Sequence, residues 1–274
     1  MEKITKNNVI IPSNIWGSFD IVDNQIYFWR VGNCNIWLKR EEDNIYIKWF
    51  YSNSNNKIDN ENIVPDDEGW SHYVIKGKSE SIELSPAMPD RSLVIKVKRP
   101  FYLPPGIKKR IYIDVPLWIC ISTVGNNKAK LVEIPSFILS NTWFGTPIEG
   151  QVCYWLMSEV NFGIEEYSHI PYMATCPVTL KNISNENLLV KKFLIPVENS
   201  VLFIHNNELW SDEILISYKG QNDVSFVECK GHVLKEFIGA KKICEPRKKQ
   251  TNKRFVRTFD SFIVKNFFNI PLNR

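Results

Sequence analysis

The chain is expected to be all-β, with two β-sandwich-like antiparallel units and little helix. Residues 93–97 and 111–115 alternate in character: Leu93, Ile95 and Val97 interleave with Val94, Lys96 and Lys98, and Ile111, Ile113 and Val115 with Tyr112 and Asp114. A period of two is that of a strand with one buried face. Pro104, Pro105 and Gly106 separate the two runs as a turn must. Nine tryptophans, ten tyrosines and sixteen phenylalanines give an aromatic share of 13%, and such side chains favour pleated, half-buried surfaces.

Taken in order, residues 26–30, 35–39 and 44–51 read as three short strands split by turn residues that include Gly32-Asn33 and Glu42-Asp43, which makes an antiparallel meander. Residues 52–69 are rich in Asn, Ser and acids and form a surface connection. Strands resume near Tyr73 and Ile82 and lead into the alternating pair. Between 135 and 176, Pro135, Gly145, Pro147, Gly150, Gly163 and Pro171 interrupt the apolar runs, and no clear period survives. The strand pattern returns at 178–196 around Asn185-Glu186-Asn187, then at 201–204, 213–218 and 224–227. The only candidate helix is 233–241, with an apolar stripe at Val233, Phe237 and Ala240. The pattern of strand, polar turn and strand ending in Pro occurs near 93–116 and again near 178–196, a weak internal echo that suits two sandwiches. The expected organisation is residues 1–134 as an N-terminal unit, 135–176 as a connecting block, and 177–274 as a C-terminal unit carrying a basic segment at 241–257.

With 274 residues and a hydrophobic content of 44%, the chain has enough apolar surface for a core in each unit. No disulfide, structural metal or cofactor is expected. The six cysteines are widely spaced, without a C-x-x-C pair, and read as buried free thiols in a reducing compartment. The N-terminal apolar run is too short for a signal peptide and no run of eighteen apolar residues occurs, so a soluble cytoplasmic protein is expected.

The order of these pieces resembles the archaeal and bacterial family known as domain of unknown function 432. The resemblance rests on Pro100-Phe101-Tyr102-Leu103-Pro104 followed by Ile111-Tyr112-Ile113-Asp114-Val115-Pro116, on Phe144-Gly145-Thr146-Pro147 with Gly150-Gln151-Val152-Cys153-Tyr154-Trp155 and Ser158-Glu159-Val160, and on Val178-Thr179-Leu180-Lys181-Asn182-Ile183-Ser184. It covers most of the chain, and the block from Phe144 to Val160 is its most specific part. The family has no established activity. Its members look like soluble partners of mechanosensitive channels, sometimes within one chain, so the resemblance implies an accessory or sensing domain, acting here in trans.

Glu159, Glu165, Glu166 and His169 form the one carboxylate and histidine cluster close in sequence. Glu166 and His169 have a metal-ligand spacing, but Gly163 and Pro171 flank them and the pattern is not helical, which favours a solvated loop. His72, His205 and His232 are isolated. No G-x-S-x-G elbow, P-loop or G-x-G-x-x-G occurs, so hydrolase and nucleotide readings lack support. In the basic segment, Arg247, Lys248, Lys249, Lys253, Arg254 and Arg257 are candidates for contact with a nucleic acid or an anionic membrane; a solvated charged loop is the plainer reading. In the connecting block, Phe144, Gly145, Gly150, Tyr154, Trp155 and Glu159 are candidates for a recognition surface or for packing between the units. The expected function is that of a non-catalytic interaction or accessory module with a protein partner. Polyanion binding is the alternative and an unrecognised enzyme the second alternative.

Overall fold

The computed structural model describes residues 3–4, 9–52, 66, 68–75, 81–125, 128–145, 147–148, 150–164, 170–220, 225–249, 254–256 and 259. Its strands in chain order are β1 (Lys3–Ile4), β2 (Val9–Ile11), β3 (Gly17–Asp20), β4 (Ile26–Val31), β5 (Cys34–Glu41), β6 (Asn44–Tyr51), β7 (Ser71–Val74), β8 (Ser81–Ala87), β9 (Leu93–Leu103), β10 (Lys108–Pro116), β11 (Trp118–Thr123) and β12 (Lys130–Pro135). The second half contributes β13 (Ser140–Phe144), β14 (Gln151–Ser158), β15 (Met173–Asn182), β16 (Leu188–Ile195), β17 (Leu202–His205), β18 (Glu208–Ser211), β19 (Ile214–Tyr218), β20 (Ser225–Cys229), β21 (Lys241–Cys244) and β22 (Arg254–Val256).

The meander read from residues 26–51 is present as β4, β5 and β6 inside a sheet ordered β1-β2-β4-β5-β6-β7. One face of this sheet carries Trp29, Ile36, Leu38, Ile45 and Ile47. These pack with Ile82, Leu84, Ile119 and Ile121 from a second sheet ordered β12-β11-β8-β3. Phe28 and Trp37 alternate to the opposite face, where they join Val9 in a smaller cluster. The β4–β5 turn depends on Gly32 at φ +62°, where an added Cβ would stand 2.8 Å from the Ser136 carbonyl and 2.5 Å from the Phe137 ring. Backbone conformation and space therefore both exclude a side chain. Gly32→Ala is expected to lower stability by about 1–3 kcal/mol, read as a shifted denaturant midpoint with an unchanged m value.

The second sandwich corrects the expected organisation. β9 and β10 are the two alternating runs, and Pro104 to Gly106 does form the turn, with the Ile107 N–H donating to the Pro104 carbonyl at 3.2 Å. The strands do not pair with each other. β9 lies in a sheet ordered β13-β14-β9-β16, whereas β10 pairs with β15 in the sheet β21-β17-β18-β15-β19-β20-β22. β15 and β16 part in the same way, so the two echoing segments are corners that pair with one another. Asn182 locks the corners together: its Nδ2 donates to the Leu103 carbonyl at 2.8 Å and its backbone carbonyl accepts from the Gly106 N–H at 2.9 Å. Leu93, Ile95, Ile111, Ile113, Val178, Leu180, Phe193 and Ile195 share the resulting core.

The strands thus do not assort by the segments 1–134, 135–176 and 177–274. The chain enters the second core at β9, returns to the first for β11 and β12, and crosses again before β13. The aperiodic block at 135–176 supplies β13, β14 and the start of β15 to the second sandwich. Trp16 packs against both cores and donates its Nε1–H to the Pro171 carbonyl at 2.7 Å.

The candidate helix at 233–241 is also corrected. Those residues form successive turns that close through Phe237 N–H to the Leu234 carbonyl and Ala240 N–H to the Phe237 carbonyl, and β21 follows at Lys241. Gly231 and Gly239 both take positive φ values, which confines the segment to residues 232–238, shorter than the roughly 12–15 residues below which a helix is marginal on its own. The helical turn among the described residues is instead a 3-10 turn at Val197–Asn199. No helix among the described residues is long and apolar enough to cross a membrane. All six cysteines are free, and Cys34, Cys153 and Cys176 are buried.

Candidate interaction surface

The β13-β14-β9-β16 sheet divides the recognition block between its two faces. β14 pairs in parallel with β9, placing Trp155 beside Val94 and Leu156 beside Ile95. Leu93, Ile95 and Val97 turn to the core, and Tyr154 and Leu156 pack against it. Val94 and Cys153 turn to the opposite face and form a small cluster with Phe144, Leu194 and Trp155. Adjacent residues of one strand must diverge in this way.

Tyr154 marks the junction with the first sandwich. Its hydroxyl donates to Asp90 Oδ1 at 2.9 Å, the Arg91 guanidinium lies 5.3 Å from its ring centroid, and Trp118 of β11 approaches at 6.2 Å. Burial, with the hydrogen bond to Asp90, pushes the phenol up to about 12. Arg247 completes the assembly from the C-terminal side. Its guanidinium lies 5.2 Å from the Trp118 centroid, its Nε–H donates to the Met88 carbonyl at 2.5 Å, and it pairs with Glu133. Arg247 is therefore a clamp between sandwiches rather than part of a solvated cationic loop.

On the outer face, Trp155 and Phe144 cover Val94, Cys153 and Leu194. The Lys192 ammonium lies 5.7 Å from the Phe144 ring centroid and 5.9 Å from that of Trp155, and the Lys96 ammonium is 5.9 Å from Trp155. Gly145 has φ +114° at the exit of β13. Gly150 provides room for Trp143, whose indole would meet an added Cβ at 2.3 Å. Glu159 follows β14 and pairs with Arg99 at 3.5 Å, both being exposed.

Of the remaining candidates, Lys248 and Lys249 are exposed, and the Lys248 N–H donates to the Glu198 carbonyl at 3.0 Å. Only the backbone of Arg254 is described, in β22. Lys253, Arg257, Glu165, Glu166 and His169 lie outside the described residues. His72 stacks on Tyr46 at 4.7 Å, with its Nε2 2.7 Å from Asn44 Oδ1. A cleft of about 610 Å³ near the β5–β6 turn is lined by Asp20, Asp23, Arg40, Glu42 and Asp43. There Arg40 already pairs with Asp23 at 3.3 Å and donates to the Glu42 carbonyl at 2.8 Å.

Two buried carboxylates went unread in the sequence. Glu198 accepts from the Ser92 hydroxyl at 2.9 and 3.0 Å, and the Gln151 amide donates to the same hydroxyl at 3.2 Å. Asp212 is fully buried and accepts from the backbone N–H groups of Val201 and Gly231. Acidic residues inside strand-rich stretches, as in Trp210-Ser211-Asp212-Glu213-Ile214, are a signal that could have found them.

These features define an all-β protein of two sandwiches, with Phe144 and Trp155 beside Lys96 and Lys192 on the outer face of one four-stranded sheet. The family described as Protein of unknown function (DUF432) matches residues 15–264, and the chain belongs to that family. Neither the curated proteins nor the solved structures contain a match.

Proposed function

We propose that the chain is a non-catalytic cytoplasmic interaction module whose protein partner docks on the exposed end of the β13–β14 hairpin. The observation that carries this reading is the pair Trp143 and Val152, directly opposite each other and 52% and 48% exposed, with Ile148 at 94% in the connecting turn. A large apolar cross-strand pair half exposed to solvent is the kind of surface that a partner buries. Gly150 supports it by letting the Trp143 indole lie against the backbone. The thiols favour a non-catalytic role, since burial pushes Cys153 up to about 11 and Cys34 and Cys176 up to about 12. They stay protonated at neutral pH and are poor nucleophiles. The partner implied by the family resemblance is a mechanosensitive channel.

The test is affinity capture from the native host, with Trp143→Ala/Val152→Ser beside the unaltered chain. Because both side chains are half exposed, the variant should keep its thermal midpoint within a few degrees while losing the captured partner. Capture of the same partner by the variant would refute the hairpin as the contact.

A further inference from the structure

We propose that the outer face of the β13-β14-β9-β16 sheet docks on an anionic membrane surface, at a site separate from the hairpin contact. Lys96 and Lys192 are direct cross-strand partners, and like charges placed opposite each other oppose pairing. Here both ammonium groups are held over the Trp155 ring. The register between the two strands then breaks: Lys192 faces Lys96 but Val190 faces Phe101, so Val97 to Pro100 stand against Lys191 alone. Val97, Val190 and Phe193 all point into the core. The intervening Lys98, Lys191 and Lys192 are therefore directed outward, and Arg99 is 84% exposed in the same bulge. Bulges re-aim side chains in this manner. Met157, beside Lys96 on β14, is 51% exposed.

Charge complementarity calls for an anionic partner, and the company of the lysines selects a bilayer. Trp155 already carries two ammonium groups near its ring, which competes with base stacking on it, the usual device for single-stranded nucleic acids. Lysine presents a compact point charge suited to a diffuse anionic surface, whereas arginine serves bidentate recognition. An indole and a thioether among lysines supply the mixture of apolar surface and cation that the headgroup region accepts.

The experiment is flotation of the full chain with vesicles of phosphatidylcholine containing phosphatidylserine, against phosphatidylcholine alone. Binding is expected only to the anionic vesicles and should weaken as salt rises. Lys96→Gln/Lys192→Gln should lower the partition coefficient about 25-fold, from roughly fivefold per lysine, with an unchanged circular dichroism spectrum as the control for folding. Equal binding to both vesicles, or none even at low salt, would overturn the proposal. So would undiminished binding by the double variant, preference for a single-stranded oligonucleotide or a polyglutamate peptide over the vesicles, or loss of binding through Lys248→Gln/Lys249→Gln instead.

Discussion

Replacing Trp210 with alanine should lower the stability of the protein by about 3–5 kcal/mol, the range for truncating a buried large aromatic. Trp210 is 1% exposed on β18, with Tyr112 edge-on at 6.5 Å and Phe237 at 4.3 Å between ring centroids, and it shares a cluster with Leu234. Phe237 and Leu234 belong to the turns at 233–240. Loss of the indole should therefore expose that segment to proteolysis as well as shift the denaturant midpoint. Trp210→Phe keeps part of the ring contact and should recover much of the loss. A cost below 1 kcal/mol for Trp210→Ala would mean that these turns are not anchored by the aromatic cluster.

That anchoring also explains where the sequence was legible. Residues 26–51 read correctly because alternation, aromatic content and turn residues all agree with the meander of β4, β5 and β6. Alternation shows that one face of a strand is buried, but it does not say which sheet the strand joins. A turn separates β9 from β10, yet each pairs in a different sheet, and that choice is made by contacts distant in the chain, such as Ile113 with Cys176 and Ile95 with Phe193. At 233–241 the apolar spacing suited a helix. The same spacing lets Leu234 and Phe237 reach Trp210 from a chain of turns, and Gly231 and Gly239 supply the positive φ. The block from Phe144 to Val160 is recognisable as special by its aromatics and glycines. Its division into a junction residue, Tyr154, and an outer cover, Trp155, depends on strand pleat and neighbours. Lys96 and Lys192 are ninety-six positions apart and become a site only through register.

Asp212 should make stability fall as pH rises through the weakly acidic range, the reverse of the usual contribution of a carboxylate paired with a cation. It is fully buried where β18 ends before β19, its Oδ1 accepting from the Val201 N–H at 3.0 Å and its Oδ2 from the Gly231 N–H at 2.7 Å. Burial pushes its carboxyl up to about 6 from 3.8, outweighing the opposing effect of the Gly231 and Val201 N–H groups and the Ser200 hydroxyl. The folded state then binds the proton more tightly than the unfolded state. Between those two values it holds more protons, so its stability declines with rising pH. The contribution is complete below about pH 4 and is lost through pH 6, a change of about 3 kcal/mol at 1.36 kcal/mol per pH unit. Asp212→Asn removes the titration and keeps the shape, but it turns an amide N–H toward a backbone donor, at a cost of about 1–3 kcal/mol. Denaturant unfolding of both proteins from pH 4 to pH 7 should therefore show the variant clearly weaker at pH 4, with the gap closing or reversing by pH 7. A gap that stays constant across that range would show that Asp212 does not hold its proton as its burial requires.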